Sequence, residues 1–136
     1  MKNLKIMLIE DDQIEVMKLM RAIKKIGGEH HFVEAKNGEN ALELLSHQEN
    51  IPDLIFLDLN MPRLNGLEFL KILKSDEILR YIPIVILTTS SNRKDVLECY
   101  KIGVAGYILK PLKYDEYVNK INKTLDYWSS NELIKA

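Results

Sequence analysis

A chain of 136 residues, 46% hydrophobic and 29% charged, has the size and composition of one ordinary globular domain, and neither a disordered nor a fibrous class fits it. Nineteen Lys and Arg against 20 Asp and Glu give a formal net charge of −1, so no positive excess points to nucleic acid or an anionic membrane, and a DNA-binding regulator is disfavoured. Charged residues break every apolar run short of the ~20 residues that span a bilayer, the N-terminus lacks a small-residue cleavage site, and Cys99 is the only cysteine. A soluble, cytoplasmic protein in a reducing compartment is expected, with no disulfide and with Cys99 as a packing residue.

In chain order, short β-like runs alternate with segments of helical period, five times over, which predicts an α/β fold of βαβ units around a parallel sheet. Leu4 to Ile9 reads as the first strand. Val16, Met20, Ile23 and Ile26 then mark the apolar face of a helix that Gly27-Gly28 stops. His31 to Ala35 is a short second strand, and Asn37-Gly38 leads into a helix with Ala41, Leu42, Leu44 and Leu45 inward. Leu54 to Leu57 and Ile84 to Leu87 are apolar throughout, as central parallel strands buried on both faces should be. A third helix begins near Gly66 and buries Leu67, Leu70 and Leu73. Helix four is expected over Arg93 to Ile102, strand five over Tyr107 to Leu109, and helix five from Tyr114 to about Ser129, with Tyr117, Ile121, Leu125 and Trp128 on one stripe. Residues 4–129 form the expected single domain and 130–136 a frayed C-terminal tail. His30, His31 and His47 follow no ligand spacing.

Polar residues stand where four of these strands end: Glu10 and Asp11, Asp58, Thr88, and Lys110. Ligands of open α/β sheets bind beyond the carboxyl ends of the strands, where strand order reverses. With strands one and three adjacent, Glu10, Asp11 and Asp58 converge, and three carboxylates together call for a cation. Hard oxygen ligands without Cys or spaced His favour Mg²⁺ or Mn²⁺ over Zn²⁺. Since Mg²⁺ commonly completes its shell with water and phosphate oxygens, such a site is suited to a phosphoryl group, with Asp58 as carboxylate nucleophile and Lys110 and Thr88 on the phosphoryl oxygens. Each feature alone has a plainer meaning: Asp12 caps a helix, Lys110-Pro111 is a loop, and the hydroxyl run from Thr88 to Ser91 caps helix four. Their placement at successive strand ends is what argues for a site.

The runs Leu8-Ile9-Glu10-Asp11-Asp12, Asp58-Leu59-Asn60-Met61-Pro62-Arg63-Leu64-Asn65-Gly66, Leu87-Thr88-Thr89 and Gly106-Tyr107-Ile108-Leu109-Lys110-Pro111 resemble the receiver domains of two-component response regulators, from Leu4 to about Trp128. The resemblance implies a (βα)5, flavodoxin-like (CheY-like) three-layer fold with strand order 2-1-3-4-5. It also implies Mg²⁺ held by Glu10, Asp11, Asp58 and the Asn60 backbone carbonyl, and transfer of a phosphoryl group from a sensor histidine kinase to Asp58. Thr88 and Tyr107 are similar to the family's switch pair, and the Lys110-Pro111 bond is expected to be cis. The segment Asp58-Leu59-Asn60-Met61-Pro62-Arg63, the Thr88-Thr89-Ser90 run and the ending Leu125-Asp126-Tyr127-Trp128 look like stand-alone regulators similar to those paired with phytochrome-type kinases, with homodimerisation through helix five as one outcome. Without an output domain, the signal would pass by protein contact or onward to a phosphotransfer protein.

Glu10 stands where Asp is common, Thr89 where Ala or Gly is frequent, and Asn60 is placed to orient a water, so a weak autophosphatase with an intermediate acyl-phosphate lifetime is expected rather than a true enzyme. Two other functions compete. A haloacid-dehalogenase-like phosphatase lacks its second Asp in Asp58-Leu59-Asn60, and a phosphorylation-independent interaction module would not need this set of residues. Neither Gly-x-Gly-x-x-Gly nor Gly-x-x-x-x-Gly-Lys-[Ser/Thr] is present for nucleotide binding.

Overall fold

The computed structural model describes residues 3–61 and 64–134. Pro62 and Arg63 of the expected acceptor-loop motif, and the last two residues of the tail, lie outside them.

Five strands, β1 (Lys5–Ile9), β2 (His31–Ala35), β3 (Leu54–Leu57), β4 (Ile84–Thr88) and β5 (Gly106–Leu109), form one sheet in the order β2-β1-β3-β4-β5, parallel throughout. Five helices cover it: α1 (Gln13–Ile26), α2 (Gly38–Leu45), α3 (Gly66–Ser75), α4 (Arg93–Ile102) and α5 (Tyr114–Ser129). This is the CheY-like order expected, with its reversal between β1 and β3.

Strand residues alternate between the two faces. Ile6, Leu8, Phe56, Val85 and Leu87 pack with α1 and α5, whereas Met7, Ile9, Ile55, Leu57, Ile84 and Ile86 pack with α2, α3 and α4. The starts of α1 to α4 are capped by short polar side chains. Asp12 accepts from the Ile14 amide (2.9 Å), Asn37 from Asn40 (2.8 Å) and Asn65 from Glu68 (2.9 Å), each satisfying an amide that the helix leaves open. Gly27 and Gly28 end α1 with φ of 92° and 93°, values that disfavour any side chain.

Three expectations shift. The buried stripe of α1 is Val16, Leu19, Ala22 and Ile23, and Met20 is exposed: α1 carries apolar residues on several sides, and packing against α5 selects among them. Helix α3 buries Phe69 with Leu70 and Leu73, leaving Leu67 at the margin. Helix α4 is capped by Asn92, whose side chain accepts from the Lys94 amide (2.9 Å), not by the hydroxyl run. The expected α5 stripe of Tyr117, Ile121 and Leu125 is core, with Trp128 partly buried against it.

Candidate functional site

Strand register builds the site. Ile9 pairs with Leu57 and the Asp58 amide donates to the Ile9 carbonyl (3.2 Å), so Glu10 and Asp58 leave neighbouring strands at one level. Leu57 pairs with Ile86 and Thr88 with Leu109. The Lys110 amide donates to the Thr88 carbonyl (2.8 Å), which places Thr88 and Lys110 at the same end of the sheet.

Glu10, Asp11 and Asp58 each bring one carboxylate oxygen within 4.8 Å of the others. Glu10 is buried, Asp58 half-buried and Asp11 exposed. Lys110 reaches across from β5, its Nζ 2.9 Å from Glu10 Oε1 and 3.4 Å from Glu15 Oε2. Burial pushes the Glu10 carboxyl up to about 7; the Lys110 hydrogen bond and charge act the other way, and the Asp58 charge adds to the rise. Burial pulls the Lys110 ammonium down, but the hydrogen bond and charge of Glu10, with Asp58 and Glu15 beyond, leave it above the ordinary lysine value. One ammonium against a cluster of carboxylates leaves a net negative pocket of hard oxygens, a donor set that fits a small divalent cation. Beneath it Glu10, Glu15, Asp58, Lys110 and Tyr117 line a cavity of about 10 Å³, room for about one water.

Asp58 and Leu59 pack closely against the start of α3. A Cβ on Gly66 would lie 2.7 Å from Leu59 Cα and 2.9 Å from the Asp58 carbonyl, and the Gly66 amide donates to the Leu59 carbonyl (3.2 Å). Only glycine lets the start of α3 come so near. Asn60 is exposed, two residues past Asp58, and its amide points at Asp58 Oδ1 over a long 3.4 Å.

Thr88 is buried at the end of β4 with its Oγ1 3.4 Å from the Ser90 amide; Thr89 beside it is exposed. The Tyr107 hydroxyl donates to the Ser90 carbonyl (2.8 Å), and Ser90 Oγ donates to Asp95 Oδ2 in the first turn of α4 (2.9 Å). Thr88 and Tyr107 therefore converge on one loop residue. The Lys110-Pro111 peptide is trans, against the expected cis; the preference between isomers at X-Pro is only about 0.5–1 kcal/mol, and the trans chain already seats Lys110 on Glu10.

Sequence reading missed Glu15 and the Ser90–Asp95 pair. Glu15 in a first turn reads as a complement to the helix dipole; its distance of five residues from Glu10, across a tight strand-to-helix turn, was the available signal. The histidines stand apart, as expected. His30 Nδ1 accepts from the Leu4 amide (2.9 Å) and burial lowers its pKa. Burial pushes the Cys99 thiol up to about 11, in keeping with a packing role.

A parallel five-stranded α/β domain with an acidic cluster and a lysine at its strand ends is the architecture of a receiver. The chain belongs to that family: residues 6–122 match the response regulator receiver domain. It is 33% identical over 127 residues to the probable methanogenesis regulatory protein FilR2 of Methanothrix harundinacea, covering 90% of this chain and 82% of FilR2. Among solved structures it is similar to the phosphorylated cyanobacterial phytochrome response regulator RcpA (TM-score 0.87, 31% identity, 97% of this chain and 99% of that one). It is also similar to the Mn²⁺-bound response regulator Rcp1 (TM-score 0.84, 28% identity, 97% and 99%). Among the described residues no helix is long and apolar enough to cross a membrane.

Proposed function

We propose that the chain is a stand-alone, cytoplasmic phosphorelay regulator in which Asp58 accepts a phosphoryl group from a sensor histidine kinase. The observation that carries this is the convergence of Glu10, Asp11 and Asp58 within 4.8 Å of one another, with Lys110 beside them. The carboxylates of Glu10, Asp11 and Asp58 and the Asn60 backbone carbonyl would hold Mg²⁺, with Mn²⁺ as a substitute, the ion that Rcp1 carries. Bound there, the ion supplies charge neutralisation for the donor's phosphoryl oxygens. Asp58 attacks phosphorus, an O–P bond forms as the N–P bond of the donor phosphohistidine breaks, and the bonding pair leaves with the imidazole. Lys110 and the Thr88 hydroxyl hold the transferred oxygens.

Thr88 and Tyr107 form the switch. Both contact Ser90, so a Thr88 hydroxyl drawn to the phosphoryl group releases the Ser90 amide and alters the loop that Tyr107 holds. A bias of a few kcal/mol suffices to shift such an element. Exposed Ile14 and Met17 on α1, at the strand-end side of the molecule, offer a donor protein an apolar seat. Likeness to RcpA supports a phytochrome-type kinase as donor, and a phosphotransfer protein or a contact partner receives the signal. Asn60 orients the water for a weak autophosphatase activity.

Intact-protein mass after incubation with acetyl phosphate tests the reading. Wild type should gain one phosphoryl mass only with Mg²⁺, Asp58→Asn none, and the adduct should decay well within many hours. Size-exclusion chromatography of the same samples reports whether phosphorylation forms a homodimer. No gain in folded wild type would overturn the reading in favour of a phosphorylation-independent interaction module.

A further inference from the structure

We propose that Glu15 is a positioning residue for Lys110, holding its ammonium at the edge of the site in competition with an incoming phosphoryl group; this rests on the phosphoacceptor reading of Asp58. Glu15 Oε2 is buried, makes no hydrogen bond, and lies 3.4 Å from Lys110 Nζ. A buried carboxylate oxygen with no hydrogen bond is costly, and here the nearby ammonium is its compensation. Lys110 is thus shared between a carboxylate of the metal-ligand trio, Glu10 at 2.9 Å, and one outside it.

That division has a kinetic consequence. A cation held by the trio would weaken the hold of Glu10 on Lys110, because the same carboxylate would then face two positive partners. Glu15 stands apart from the trio, so its hold persists when the metal site is filled. An anionic phosphodonor that recruits Lys110 must draw it away from Glu15. Glu15 therefore lowers the rate of phosphoryl uptake and keeps the ammonium between Glu10 and Glu15 when no phosphoryl group is present. It touches neither reacting atom and acts only through Lys110.

The test is a double-mutant cycle on Glu15→Gln and Lys110→Ala. Phosphoryl uptake from acetyl phosphate is followed by intact mass over hours, and binding of beryllofluoride with Mg²⁺, a phosphoryl mimic, by thermal shift. Glu15→Gln in the presence of Lys110 should raise the uptake rate and the beryllofluoride affinity about fivefold, the scale of a partly exposed ion pair. In the Lys110→Ala background the same change should have less than about a twofold effect. In metal-free protein the NMR resonance of the Lys110 ε-methylene should also move on Glu15→Gln. An equal effect in both backgrounds, a slower uptake, or an unmoved Lys110 resonance would each overturn the role. Wild type that takes up no phosphoryl group but binds beryllofluoride in a Glu15-dependent way would overturn the phosphoacceptor reading and leave the Glu15–Lys110 coupling standing.

Discussion

The two flanks of β4 and β5 are built to different standards. Toward α1 and α5 the sheet is sealed by Val16, Leu19, Ile23, Tyr117, Ile121 and Leu125, all buried. Toward α4 the seal is thin: Cys99 is the one fully buried residue of that helix, and none of the residues of β5 is fully buried. The carboxylate cluster of Glu10, Asp11 and Asp58 and Lys110 lean on the first flank, and the Thr88–Ser90–Tyr107 contacts belong to the second. Few buried apolar contacts mean low local stability. The acidic cluster and the Thr88–Ser90–Tyr107 contacts thus share one sheet without sharing one set of contacts.

Tyr117→Ala should break the comparison most directly. Emptying a fully buried aromatic position costs about 3–5 kcal/mol, whereas Leu97→Ala on the exposed side of α4 should stay within about 0.5 kcal/mol. Urea melts measure both, and native-state amide exchange should find α4 opening well before α5. Comparable losses for the two variants would remove the distinction.

Electrostatic cost is concentrated on the sealed side, in Glu10. Its folded pKa is raised from an unfolded value of 4.5 to about 7, so between those values the folded state binds the extra proton. Metal-free stability from this group therefore falls as pH rises from about 4.5 to about 7, by on the order of a few kcal/mol. Thermal melts in EDTA at pH 5 and pH 8 should show that loss in wild type and not in Glu10→Gln, and Mg²⁺ should reduce it at pH 8. A wild-type and Glu10→Gln pair with the same pH profile would refute this.

Gly66→Ala should have the smaller effect, about 1–3 kcal/mol in urea melts, since a Cβ pressed to 2.7 Å from Leu59 Cα forces backbone to move. Its phosphoryl uptake should slow beyond what the stability loss explains, because the displaced carbonyl is that of Asp58.

Much of this was legible in the chain itself. Apolar runs bounded by Asp58 and Thr88 mark buried parallel strands without ambiguity, and parallel register then delivers Glu10, Asp58 and Lys110 to one end of the sheet. What stayed hidden is decided by neighbours far along the chain. Met20 and Leu19 fit helical periods equally well until α5 arrives, and Glu15 looks like any first-turn acid until Lys110, 95 positions later, comes within 3.4 Å. The trans Lys110-Pro111 bond turns on too small an energy difference to read from composition.

Cys99 gives the thin flank a clock. It is the only thiol in the chain, it is fully buried on the core-facing side of α4, and burial holds it protonated, so it is inert while that helix is seated. Thiol modification then requires α4 to open, and where reclosing outpaces the reaction the labelling rate reports the population of the open state.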